Sequence, residues 1–153
     1  MQKIFQFLFL AAVVTTLRAE PKWLTKLDEA KAQAQKEDKA VLLDFTGSDW
    51  CPPCMKLKKT VFNSSEFEKF AEKHLVLVEV DFPRGKKLKD LSEEQQTANK
   101  GLAQQFDVDA FPTVILLDVN GKKLGENRGY GDDTPAQYIQ GLEQMLAKQK
   151  KTK

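Results

Sequence analysis

Both cysteines of this 153-residue chain fall within one tetrapeptide, Cys51-Pro52-Pro53-Cys54, and the residues on either side leave few folds open. Ahead of it stands Ala40-Val41-Leu42-Leu43-Asp44-Phe45, a continuous apolar run with a single acid, the pattern of a strand buried on both faces. Thr46-Gly47-Ser48-Asp49 reads as a loop. Behind it come Leu57, Lys58, Val61 and Phe62. Prolines suit the first turn of a helix, whose amides lack intrahelical partners in any case. The unit is therefore strand, loop, helix, with Cys51 at the helix N-terminus.

That placement points to thiol chemistry. Disulfides are broken by a thiolate, and an ordinary cysteine, with a pKa near about 8.5, is mostly protonated at neutral pH. The unsatisfied amides and positive dipole end of a helix N-terminus favour the charged form at Cys51. Cys54 lies about one helical turn further on and can reach Cys51 on the same face. Cys51 would attack a disulfide, and Cys54 would resolve the mixed disulfide that forms. A bridge across two residues closes too small a loop to stabilise the fold much, which argues against a purely structural role.

Elsewhere the chain alternates between the two periods. Trp23, Leu24, Leu27, Ala30 and Ala34 predict a helix over 22–37, and Leu75–Val80 a second buried strand. Ser64 or Ser65 caps a helix carrying Phe67, Phe70 and Ala71. Residues 82–92 are polar and lysine-rich, read as a surface loop. Glu93–Phe106 reads as a helix with Ala98, Leu102, Ala103 and Phe106 on one face. Thr113–Leu117 is a third strand, and Asn120-Gly121 a hairpin turn that pairs 122–127 back antiparallel. Thr134-Pro135 opens a last helix with Tyr138, Ile139, Leu142, Met145 and Leu146 as its stripe. The lysine-rich tail 148–153 is expected to fray. Such alternation implies an α/β sandwich.

The first residues read as a targeting segment. Lys3 precedes an apolar run, Ile4 to Val14, broken only by Gln6, and Ala19 offers a cleavage point, so 1–19 is a signal peptide and 20–147 the domain. An uncleaved anchor is the alternative, although the run falls short of the roughly 20 residues a bilayer span needs. Export places the protein in the periplasm or otherwise outside the cytoplasm. Loss of Lys3 and Arg18 would lower the basic residues from 24 to 22, matching the 22 acidic ones, and so weak a charge excess argues against nucleic acid.

With Asp44-Phe45, Trp50-Cys51-Pro52-Pro53-Cys54, Phe111-Pro112-Thr113 and Asn120-Gly121 in this order, residues 22–147 resemble the thioredoxin superfamily. Gly47-Ser48-Asp49-Trp50-Cys51 and Val80-Asp81-Phe82-Pro83-Arg84-Gly85 are most similar to its exported bacterial thiol–disulfide interchange branch. The resemblance implies a thioredoxin fold, a central mixed sheet in order 2-1-3-4 (counting the four strands above) with helices on both faces. It implies a cis Phe111–Pro112 peptide facing the cysteines, with the Phe111 main chain free to pair with a substrate strand. Trp50, Pro52, Pro53, Phe111 and Pro112 would form the substrate surface. Asp44 would lie below Cys54 and move its proton. The loop 46–49 is one residue longer than in thioredoxin itself, which bears on where Asp44 ends up. Glu79 stands where thioredoxin carries a lysine; it either raises the pKa of Asp44 or points to solvent, the blander reading being solvent.

The resemblance thus implies a thiol–disulfide oxidoreductase with no cofactor beyond its own Cys51–Cys54 disulfide. Pro53 before the second cysteine favours a reductase of protein disulfides, a monomer fed by a membrane-embedded electron donor. The alternatives are a disulfide oxidase or isomerase, and a non-catalytic binding module or chaperone. Two cysteines and a distant His74 make a poor metal site, since structural zinc takes four ligands. The run Arg84-Gly85-Lys86-Lys87-Leu88-Lys89 could meet an acidic partner or lipid headgroups, but reads first as a solvated face.

Overall fold

The computed structural model describes residues 21–150, so the signal-peptide reading of 1–19 and the last residues of the tail lie outside the described residues. The elements are β1 (Trp23–Leu24), α1 (Leu27–Glu37), β2 (Ala40–Thr46), α2 (Pro52–Leu57) with a π-helical turn Lys58–Phe62, α3 (Ser65–His74), β3 (Leu75–Asp81), α4 (Gly85–Asp90), α5 (Glu93–Gln105), β4 (Thr113–Leu117), β5 (Lys123–Arg128) and α6 (Pro135–Lys150). The five strands form one sheet in the order β1-β3-β2-β4-β5. β1, β3 and β2 are parallel, and β4 and β5 are antiparallel to their neighbours.

The four strands read from the sequence keep the order 2-1-3-4, and a fifth extends the sheet. The predicted helix over 22–37 is thus shorter: Trp23 and Leu24 instead pair with Leu77 and Val78 along the open edge of β3. Packing settles this, because the Trp23 ring lies 5.2 Å from Phe62, a residue remote in sequence. The stretch 82–92 is also not all loop. It contains α4, which the helix-forming lysines support without burying any side chain, so no apolar period signals it. On α5 the predicted face is rotated: Ala98 is exposed, whereas Asn99 is buried, donating 2.8 Å to the Asp81 carbonyl and accepting from Gln95. At the C-terminus the helix continues past Ala147 to Lys150.

The sheet divides the core in two. Alternate residues of a strand face opposite sides. Val41, Leu43 and Phe45 of β2 join Ala30 and Ala34 of α1, with Leu102 and Phe106 beside them. Ala40 and Leu42 pack with Leu57, Phe62, Phe67 and Leu142 on the other side. Each large side chain so buried contributes roughly 1.5–3 kcal/mol. The π-helical turn lets the adjacent Val61 and Phe62 both reach the interior. At the hairpin, Gly121 takes a positive φ of 83°, the conformation that its lack of a Cβ permits.

Candidate active site

The C-terminal end of β2 delivers the chain to the redox pair. Gly47 accepts hydrogen bonds from the Trp50 and Cys51 amides (3.3 and 3.0 Å), a turn that absorbs the longer loop and leaves Asp44 within β2. Cys51 is the N-cap of α2, and Pro52 and Pro53 open the helix. The sulfurs of Cys51 and Cys54 are joined in a disulfide, and the Cys54 amide donates to Cys51 Sγ at 3.3 Å. An amide aimed at this sulfur is the local preference for negative charge anticipated at a helix N-terminus. Both cysteines are buried, only 3% exposed each, so exchange takes place at a closely packed rim.

Trp50 forms that rim and is held from every side. Its indole N–H donates 2.7 Å to the Phe82 carbonyl, and its ring meets Phe111 edge-on at 5.7 Å. The Arg84 guanidinium lies 3.9 Å above the ring centroid. A Cβ on Gly47 would stand 2.5 Å from the indole, so the ring needs a glycine beneath it. The loop is tied to the end of β3, where Ser48 donates from its amide and hydroxyl to the Asp81 carboxylate (2.9 and 2.6 Å). Asp49 accepts from the Arg84 amide. The Phe111–Pro112 bond is cis, Phe111 packs on Phe82 at 5.2 Å, and the Pro112 carbonyl accepts from the Gly129 amide.

Along the strand that leads to the pair the chemistry changes. Asp44 lies on the face of β2 that Ala40 and Leu42 share with Leu57 of α2, and it is 3% exposed. Its Oδ1 is buried without a hydrogen-bond partner among the described residues. Burial, then the nearby Glu79, push the Asp44 carboxyl up to about 8, against the opposing pull of Lys58. Burial likewise pushes the Tyr138 hydroxyl up. Glu79, the register neighbour of Asp44 on β3, is not turned freely to solvent: it is half-buried and pairs with Lys58 at 2.6 Å.

The structure thus brings Trp50, Cys51, Pro52, Pro53 and Cys54 together at one end of the sheet, with Asp44 on the strand leading to them. His74 stacks on Phe70 at the far end of α3. Among the described residues no group of histidine, cysteine and acidic side chains could hold a metal ion. Gly47, Phe82 and Arg84 stand out in the sequence only through the family resemblance, and their joint grip on Trp50 has no periodic signature. Lys58 follows Cys54 by about one helical turn, a spacing that does place it on the cysteine's side of the helix.

Residues 27–146 match the family model for the thioredoxin-like domain. This chain belongs to the thioredoxin-like family. The thioredoxin-like chain is 37% identical over 118 residues to disulfide bond reductase DsbH of Chlamydia pneumoniae, covering 77% of itself and 69% of that protein. It is 28% identical over 139 residues to thioredoxin-related protein DsbJ of the same organism, spanning 86% of itself but only 39% of DsbJ. A solved DsbH oxidoreductase superposes with a TM-score of 0.76 at 34% identity, covering 96% of this chain and 94% of that one. The thioredoxin of Thermus thermophilus shares the fold, with a TM-score of 0.62 at 21% identity over 85% and 90% of the two chains. With its cysteines in the CxxC arrangement and bonded, this thioredoxin-like chain is a thiol–disulfide oxidoreductase.

Proposed function

We propose that the protein reduces disulfides of other proteins outside the cytoplasm, with Cys51 as nucleophile, Cys54 as resolving thiol and Asp44 as the base that serves Cys54. The observation that carries this reading is the Cys51–Cys54 disulfide at the N-terminus of α2, with Asp44, buried and with one oxygen unpartnered, on the strand that leads to it. The reductase name of the relative from Chlamydia pneumoniae supports the direction, as does Pro53.

In the reduced protein, the Cys51 thiolate attacks one sulfur of a substrate disulfide. The substrate S–S bond breaks, the departing thiolate takes a proton, and a mixed disulfide joins Cys51 to the substrate. Cys54 then loses its proton to Asp44 and attacks Cys51 Sγ. The mixed disulfide breaks, the departing substrate thiolate takes up the proton that Asp44 received, the substrate leaves as a dithiol, and the protein is left with its own disulfide, the form seen here. A base held near about 8 is closely matched to an ordinary cysteine thiol, at about 8.5, the condition under which proton transfer costs least. Trp50, Pro52 and Pro53 meet the substrate, whose strand runs along Phe111 beside cis Pro112.

Two electrons must return to the pair after each cycle. No helix among the described residues is long and apolar enough to cross a membrane. In an oxidising compartment we assign the electron supply to a membrane-embedded donor, with this chain acting as a monomer exported by its first 19 residues.

The reduction potential of the pair, titrated against dithiothreitol and glutathione, tests the direction. A value near about −270 mV supports a reductase, and one between about −180 and −120 mV would overturn it in favour of disulfide donation or isomerisation.

A further inference from the structure

We infer that Arg84 and the lysines of α4 form a cationic rim that selects protein disulfides flanked by carboxylates. The inference deepens the disulfide-reducing activity proposed above and rests on it.

Its first support is where Arg84 sits. The guanidinium stacks on Trp50, the residue preceding the nucleophile, and its main chain is anchored by Asp49. Its position over Trp50, the chain neighbour of Cys51, is therefore set by the fold. Its second support is an unanswered charge. Lys39, Lys56, Lys58, Lys123 and Arg128 each pair with an acid. Among the described residues Arg84, Lys86, Lys87 and Lys89 pair with none, and all four are exposed. Lys87 reaches only the Ser48 hydroxyl, at 3.5 Å. Of the acids around them, Asp81 is committed to Ser48 and Asp49 to the Arg84 amide, and Asp90 at the end of α4 forms no ion pair with them, so the segment keeps a net positive charge.

The guanidinium held over the Trp50 ring has no acid on its N–H fork, and such a fork binds carboxylates two bonds at a time. An Asp or Glu beside the substrate cysteine would complete it as that cysteine reaches Cys51, while the α4 lysines steer the approach. A lipid surface fits less well. α4 exposes one large apolar side chain, Leu88, too little to seat it in a bilayer, and a membrane on this face would cover the approach to Cys51.

The test compares full-length reduced protein on two peptides that differ only in Asp and Glu, or Asn and Gln, flanking an intermolecular disulfide. Uncharged dithiodiethanol serves as a third substrate. The wild type should reduce the acidic peptide about tenfold faster than the neutral one at low salt, and this preference should shrink as salt screens it. Arg84→Ala should cut the preference to about twofold, Arg84→Lys should leave an intermediate value, and Lys86→Ala/Lys87→Ala should weaken the salt dependence. Equal rates on both peptides with dithiodiethanol still reduced would overturn the rim and leave the reductase standing. Reduction of none of the three would overturn both. A preference unchanged by these variants would overturn the residues assigned. Anionic phosphatidylglycerol vesicles that bind through Arg84 and block peptide reduction would reassign the rim to lipid.

Discussion

On the Trp50 side of the Cys51–Cys54 disulfide the indole is answered by Phe82, Ser48 by Asp81 and Asp49 by the Arg84 amide, and only the Arg84 guanidinium keeps its N–H groups free among the described residues there. On β2, the strand that leads to it, Asp44 lies in apolar surroundings with one oxygen unanswered and an acid, Glu79, as its register neighbour. The two sides are built on opposite rules. A surface that must present one shape to a substrate strand gains from hydrogen bonds that remove alternatives. A carboxylate that must take up and return a proton near neutral pH needs an environment that disfavours its charge, because full satisfaction would lower its pKa out of range. Lys58 marks where the two meet, since its ion pair with Glu79 moderates the field on Asp44 without touching the platform.

The contrast can be broken first at the sulfurs. Cys51→Ser should abolish turnover of a protein disulfide, a loss of a thousandfold or more, on the order of what removing a nucleophile costs. Cys54→Ser should accumulate the mixed disulfide, visible by mass spectrometry. If both variants lost activity without a trapped species, Cys54 would not be the resolving thiol.

Asp44→Asn addresses the β2 side. Resolution of the mixed disulfide should slow by about a hundredfold, the usual reach of general acid–base assistance, and the rate should lose its inflection near pH 8. The same variant should be more stable than the wild type in alkaline solution. A carboxyl whose folded pKa is raised holds its proton more tightly in the folded state, so its contribution is complete below about pH 4 and fades as pH rises through about 8. Denaturation of both proteins at pH 8 should show a gain on the order of 5 kcal/mol, narrowing towards pH 4. An unchanged or opposite pH trend would mean that Asp44 is ionised in the folded protein.

Gly47→Ala probes the platform alone. The new Cβ would overlap the indole, displacing Trp50 at a cost of about 1–3 kcal/mol, read as a lower midpoint in urea and a changed Trp50 emission. Peptide reduction should suffer more than reduction of dithiodiethanol, which needs no platform. The smallest effects belong to the meeting point. Glu79→Gln should move the alkaline inflection of the exchange rate downward and Lys58→Met upward, because the acid raises Asp44 and the lysine lowers it. Shifts of the same sign in both variants would show that the ion pair acts by packing.

Four strands, their order, the helix opened by Pro52 and the antiparallel return after Asn120-Gly121 are all legible in the residues themselves: the elements follow from a local period or a turn residue, and the strand order from the family resemblance that the motifs carry. β1 is not, since two residues at helical spacing carry no sign that the edge of β3 is open to them. α4 is not, since a helix that buries nothing leaves no apolar stripe. Within the site the same boundary appears. Cys51, Cys54 and Asp44 can be named because their residue types are unusual where they stand: two thiols at the start of a helix, an acid inside an apolar strand. The grip of Phe82 and Arg84 on Trp50 and the pairing of Lys58 with Glu79 depend on contacts between residues more than twenty positions apart. The sequence by itself therefore determined the redox pair and the strand and helix that present it, since these depend on neighbours along the chain. Only the tertiary structure decided which charges surround that pair and which are left unpaired, because charges act through space, and distance in space is what folding supplies.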